Sequence, residues 1–140
     1  MRAMFPSARV SCRVADFTRP LDLSDCDGLL MANSLHFVDR GRQPEVLARV
    51  VGHLRPGGRF ILVEYDADHG SPWVPHPISS RRWEQLAEAA GLRRTRLLAR
   101  VPSRFLGAIY SAIGFSPGDA VPSADTAPAT HRSLGLALEE

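Results

Sequence analysis

One stretch, Asp27 to Asp66, limits most strongly what this chain can fold into. It opens on Asp27-Gly28-Leu29-Leu30-Met31-Ala32-Asn33-Ser34-Leu35-His36-Phe37 and closes on Arg59-Phe60-Ile61-Leu62-Val63-Glu64-Tyr65-Asp66. Each apolar run is short and bounded by turn residues, the pattern of a buried parallel strand. Between them Val46, Leu47, Val50, Val51 and Leu54 fall on one side of a helix, with Glu45, Arg49 and His53 on the other. Pro44 suits the first helical position, and Pro56-Gly57-Gly58 is expected to stop the helix and reverse the chain. Strand, crossover helix and strand make a βαβ unit. Both strands end in polar groups: Asn33, Ser34 and His36 after the first, Glu64, Tyr65 and Asp66 after the second. Ligands in open α/β sheets sit outside the carboxyl ends of the strands, so this stretch supplies half of a binding crevice.

Composition narrows the rest. A chain of 140 residues is one domain at most. Its net charge of +2 points to no partner by itself. All 17 basic residues are arginine, which excludes a lysine of this chain as Schiff base or phosphate ligand. Cys12 and Cys26 have neither metal-type spacing nor a thiol-redox motif. They read as reduced thiols and suit a cytoplasmic setting. The first residues lack a signal-peptide core, and no apolar run approaches a membrane span.

Before the βαβ stretch, Val10, Cys12 and Val14 alternate with Arg9, Ser11 and Arg13, so Arg9 to Ala15 reads as a strand with one wet face. After it, Ala67 to Ile78 is an irregular loop with three prolines around Trp73, Val74 and His76. A second helix is expected over Ser80–Ala90, capped by Ser79 or Ser80 and ended by Gly91. Arg93–Val101 and Phe105–Ala112 read as two further strands. Residues 116–140 lose aromatics and gain Ser, Pro, Ala and Asp, the composition of a disordered tail, with a frayed helical turn near Leu134 to Glu140.

The order strand, Asp16-Phe17, Asp27 to His36, helix, and Leu54-Arg55-Pro56-Gly57-Gly58-Arg59 running on to Glu64 resembles the second half of a class I S-adenosylmethionine-dependent methyltransferase. The Leu-Arg-Pro-Gly-Gly-Arg piece together with Ala32-Asn33-Ser34-Leu35-His36, at this spacing, carries the resemblance over roughly residues 9–115. The pieces Trp73 to Pro77, Pro102 to Phe105 and Tyr110 to Ala112 are similar to a bacterial subgroup of these enzymes. The resemblance implies an α/β fold, a truncated Rossmann-like methyltransferase sheet of about five strands with flanking helices. Residues 1–115 would be a partial methyltransferase domain holding strands 3 to 7 of the family fold, with 116–140 as the tail. Those strands would be Arg9–Ala15, Gly28–Asn33, Arg59–Tyr65, Arg93–Val101 and Phe105–Ala112, the last inserted antiparallel. The family's first two strands, its glycine-rich loop and the acid that ends its second strand have no counterpart, and no Gly-x-Gly occurs anywhere. Two βα units, about 60 residues at ~30 each, are missing, so the chain reads as N-terminally truncated. Open sheet edges would follow, and with them self-association.

The resemblance also assigns roles, each beside a plainer alternative. Asp16 would accept from the adenine amino group of S-adenosyl-L-methionine and the Phe17 N–H would meet the ring; the plainer alternative for Asp16 is a helix or turn cap. Asn33 and Ser34 stand where backbone approaches the methionine portion of the cofactor, or are a polar strand terminus. His36 is the candidate general base for an acceptor that must lose a proton, or a structural part of the strand-to-helix turn. Glu64 is a second catalytic candidate, or a carboxylate bonding loop amides. Tyr65, Trp73 and His76 would wall the acceptor pocket, Trp73 alternatively packing over the sheet edge. No metal is implied. The five arginines from Arg93 to Arg104 read as a solvated strand face, since no aromatic platform is interleaved with them.

The expected function is methyl transfer to a small-molecule acceptor, with no nucleic-acid or membrane partner. The alternative is a non-catalytic fragment that acts through a partner at its exposed sheet edge. A nicotinamide-dependent oxidoreductase fragment fits less well, because its own glycine fingerprint is equally absent.

Overall fold

The computed structural model describes residues 7–118 and, by backbone alone, 134–138. The βαβ unit forms as its apolar pattern dictates. Strand β1 (Cys26–Ala32) and strand β2 (Leu54–Asp66) pair in parallel, Gly28 opposite Arg59 through to Ala32 opposite Val63. Helix α1 (Gln43–Val51) crosses between them, with Pro44 in its first turn and Val46, Leu47, Val50 and Val51 buried along one side. One expectation is corrected here. Pro56-Gly57-Gly58 does not separate helix from strand; it lies inside β2, as a bulge between the Cys26–Leu54 and Gly28–Arg59 pairs. A Cβ on Gly58 would stand 2.9 Å from the Arg55 carbonyl oxygen and 3.1 Å from that of Cys26, so only glycine lets the backbones approach this closely.

Helix α2 (Ser80–Ala89) starts at Ser79, whose hydroxyl accepts from the Arg82 N–H at 3.2 Å. It ends at Gly91, which adopts φ +91°. Strands β3 (Arg93–Pro102) and β4 (Ala108–Phe115) form an antiparallel hairpin, and β4 inserts antiparallel between β3 and β2, as expected. Strand β4 begins at Ala108 rather than Phe105, because residues 103–107 form the hairpin turn. There the Ser103 N–H donates to Gly107 O at 3.0 Å, and the Ser103 hydroxyl accepts from Phe105 N–H at 3.1 Å.

The far edge departs furthest from expectation. Arg9–Ala15 forms no strand and is exposed, with Val14 fully in solvent. Its alternation is genuine, but among the described residues no strand lies beside it to satisfy its backbone groups. The place beside β1 is taken instead by strand β5 (Leu134–Leu138), parallel to it, from Gly28 opposite Leu134 to Ala32 opposite Leu138. The tail therefore contributes a strand where disorder or a helical turn was expected. Residues 119–133 and 139–140 lie outside the described residues. The sheet has five strands in the order β3-β4-β2-β1-β5.

Helix α1 packs against β2 and α2, and α2 against β3, so both helices cover the same face. Phe60, Leu62, Met31 and Leu29 point into that layer, where Trp83 stacks on Phe60 at 5.9 Å. Alternate residues Ile61, Val63 and Tyr65 are only half-buried on the other face. Among the described residues no helix is long and apolar enough to cross a membrane.

Candidate functional site

The carboxyl ends of β1 and β2 lie side by side, and the candidate residues follow from them. Asn33 leaves β1 with φ +52°, and one 3-10 turn, Leu35–Phe37, carries His36 back over the end of β2. Period two puts Glu64 on the helix-facing side of β2, in line with Phe60 and Leu62, and leaves it with no exposed surface. A carboxylate in such a position must be matched by donors. Its Oε1 accepts from the His36 N–H at 3.2 Å, and its Oε2 lies 2.8 Å from His36 Nδ1 and accepts from Tyr65 N–H at 3.3 Å. The His36 ring is 2% exposed and lies 4.4 Å from the ring of Phe37 and 5.9 Å from that of Tyr65. With Nδ1 held by the carboxylate, Nε2 is the ring atom with no hydrogen bond among the described residues. The Tyr110 hydroxyl donates to Ile78 O at 2.6 Å; burial, then the nearby Glu64, push its pKa far above the ordinary phenol value.

Sequence reasoning missed the residue that binds these segments together. Gln43 is fully buried at the start of α1. Its Nε2 donates to Val38 O at 3.1 Å, His76 O at 2.9 Å and, more weakly, Leu35 O at 3.4 Å. Its Oε1 accepts from Arg82 Nη1 of α2, whose Nη2 donates to Arg40 O. The His76 N–H donates to His36 O at 3.0 Å, so the proline-rich loop closes on the His36 turn. The one sequence hint was a polar side chain next to Pro44 where the apolar stripe of α1 begins.

A cleft of about 290 Å³ opens beside this turn, lined by Asp16, Phe17, Thr18, Phe37, Val38, Asp39 and Arg42. Phe17 is buried and anchors the Asp16 turn to the core; Arg49 Nη1 holds Thr18 O at 2.6 Å. The Asp16 Oδ1 accepts from Thr18 N–H at 2.9 Å and from the Thr18 hydroxyl at 2.6 Å. Asp16 thus does cap its turn, and it also faces the cleft. The Thr18 hydroxyl, then its N–H, hold the Asp16 carboxyl below its usual range. Asn33 Oδ1 and Ser34 Oγ are buried without a partner among the described residues.

The structure therefore unites Asp16 with Phe17 at the cleft, and His36 with Glu64 and Tyr65 at the strand ends. His76 reaches this group through its backbone, and its Nε2 lies 3.3 Å from Asp39 Oδ1. Trp73 is 84% exposed at a turn closed by Ser71 and Val74; it packs neither against the His36 group nor over the sheet edge. No cluster of three or more metal-ligating residues occurs among the described residues.

Asp66, one residue beyond Tyr65, is structural. It accepts from Ser80 N–H at 2.8 Å, from the Ser80 hydroxyl at 3.0 Å and from Arg100 at 3.0 Å, so it ties the end of β2 to α2 and β3. Burial raises its pKa, but the Ser80 and Arg100 bonds together outweigh that and leave it below 3.8. A pKa lowered on folding stabilises above the unfolded value, and the contribution is lost as pH falls through the folded value. Asp66→Asn is expected to unfold at lower urea than the parent at neutral pH, with the gap narrowing as the pH falls below the ordinary carboxylate pKa of about 4. A gap that stays constant over that fall, in urea midpoints, would contradict this role.

Solved structures with the same arrangement of strands and helices were found at low sequence identity. The 1,6-didemethyltoxoflavin-N1-methyltransferase of Burkholderia thailandensis, solved with S-adenosylhomocysteine, is 19% identical with a TM-score of 0.59 over 74% of this chain and 49% of its own. Human N-acetylserotonin methyltransferase, solved with S-adenosylmethionine, is 17% identical with a TM-score of 0.57 over 75% of this chain and 33% of its own. The chain has the class I methyltransferase fold. A pericyclic reaction enzyme also matches, at 18% identity and a TM-score of 0.55 over 83% of this chain and 32% of its own, so the methyltransferase fold is not tied to one reaction. The chain spans between a third and a half of the length of these three structures. No family model matches the chain, and no curated protein matches it either.

Proposed function

We propose that this chain is the part of an S-adenosylmethionine-dependent methyltransferase that holds the adenosine side of the cofactor and carries the proton-accepting group for a small-molecule acceptor, in the cytoplasm. The observation that carries the reading is the cleft in which a carboxylate, Asp16, and apolar walls from Phe17, Phe37 and Val38 meet at the carboxyl end of the sheet. A carboxylate acceptor beside apolar walls suits a flat heterocycle with an exocyclic amine. The unpartnered Asn33 Oδ1 and Ser34 Oγ suit the polar remainder of the same cofactor. The residues present therefore fit the group. When bound, the cofactor supplies an electrophilic methyl group on a sulfonium centre. In this reading the residues of the chain orient and deprotonate. Glu64 fixes the His36 tautomer through Nδ1, and Nε2 takes the acceptor's proton. Tyr65 and His76 stand at the rim as walls for the acceptor.

Titration of S-adenosylhomocysteine by calorimetry tests the reading. Asp16→Ala is expected to weaken binding about tenfold or more, the loss of one charge-assisted hydrogen bond. Unchanged affinity would remove Asp16 from the site. A second reading is a non-catalytic chain that acts through a partner, for which the outer edge of β3, unpaired among the described strands, offers a surface. A folded chain that binds no S-adenosylhomocysteine would favour it.

A further inference from the structure

We propose that the outer edge of β3 is a docking strand for an acidic, extended segment of a partner protein. The inference does not depend on methyl transfer.

Strand β3 stands at the end of the sheet and pairs with β4 alone among the described strands. It is ten residues long, where strands average about 5–6. It is exposed along its whole length except at Thr95, with Leu97 at 48%, Leu98 at 46% and Val101 at 55%. Two bulges, between Arg93 and Arg96 and between Leu97 and Ala99, bend its pairing with β4, with Arg94 at φ +52°. Between and beyond them the outer edge keeps backbone donors and acceptors for strand addition.

Charge decides what can add. Arg93, Arg94, Arg96 and Arg100 lie on the strand, and no acidic residue does. Arg100 is paired with Asp66, and Arg94 lies 4.4 Å over the Phe115 ring. Neither Arg93 nor Arg96 has a carboxylate within salt-bridge distance among the described residues. A second copy of β3 is a poor occupant. It brings four more arginines and no carboxylate to an edge that already holds four. An extended segment that alternates acidic and β-branched residues meets both demands. Its carboxylates face Arg93 and Arg96, which the first bulge brings to one face of the strand, its apolar residues cover Leu97 on the other, and its backbone continues the ladder.

The test uses fluorescence anisotropy of the full chain with three labelled eight-residue probes. One alternates glutamate and valine, the second alternates lysine and valine, and the third is the glutamate probe with alternate backbone amides N-methylated. The glutamate probe is expected to bind with micromolar affinity in moderate salt. The lysine and N-methylated probes, and the Arg93→Glu/Arg96→Glu variant with the glutamate probe, are each expected to bind at least about tenfold more weakly. Circular dichroism checks that the variant stays folded. Absence of glutamate-probe binding, equal binding by the N-methylated probe, or tighter binding of a single-stranded oligonucleotide of the same charge would each overturn the proposal.

Discussion

Glu64→Ala is expected to cost about 3–5 kcal/mol of folding stability, because it strips the acceptor from several buried donors at about 1–3 kcal/mol each. The side chain has no exposed surface and accepts from three donors: the His36 N–H, its ring Nδ1 and the Tyr65 N–H. Alanine would leave those donors buried without acceptors and a cavity beside Tyr110. A single domain of this size has about 5–15 kcal/mol in total, so most of the margin would go. Glu64→Gln keeps the shape and one acceptor oxygen and is expected to lose less than half as much. Urea denaturation measures both. A Glu64→Ala loss below about 1 kcal/mol would show that water readily replaces the carboxylate and that the His36 turn does not depend on it.

Gln43→Leu is the second large effect, about 2–4 kcal/mol. Leucine fills the volume but leaves the carbonyls of Val38, His76 and Leu35 without their donor, and Arg82 without its acceptor. Gln43→Glu separates hydrogen bonding from packing. It restores a partner for Arg82 but turns carboxylate oxygens toward carbonyl oxygens, so it is expected to be at least as destabilising as leucine. If Gln43→Glu proves milder than Gln43→Leu in the same urea titration, the Arg82 contact, not the carbonyl cluster, is what matters.

What could be read beforehand followed from local pattern. The apolar runs of β1 and β2 and the helical stripe from Val46 to Val51 are properties of neighbouring residues and formed where periodicity placed them. Helix α1 ends at Val51, however, and Leu54, read as its last apolar position, opens β2. Misreadings arose where a distant neighbour decides. Arg9–Ala15 has strand periodicity but no partner strand among the described residues, so its alternation forms no strand. Leu134–Leu138 is too short to announce itself, and becomes a strand because the edge of β1 accepts it. Pro56-Gly57-Gly58 carries the residues of a helix stop, yet Cys26 across the sheet makes it a bulge. The site shows the same division. His36 and Glu64 were each recognisable as strand-end polar residues, but their contact joins positions 28 apart and is created by the parallel pairing. Gln43 stayed hidden, because a glutamine in a first helical turn usually faces water, and here the turn, the loop and α2 all close over it.

The most direct measurement is an amide nitrogen–proton correlation spectrum of the labelled 15.3 kDa chain, recorded as S-adenosylhomocysteine is added. If the cleft holds the adenosine side of the cofactor, shifts concentrate at Asp16–Thr18, Asn33–Ser34 and Phe37–Arg42 and saturate. A spectrum unchanged at millimolar ligand, or shifts that gather on β3 instead, would contradict a cofactor site at these strand ends.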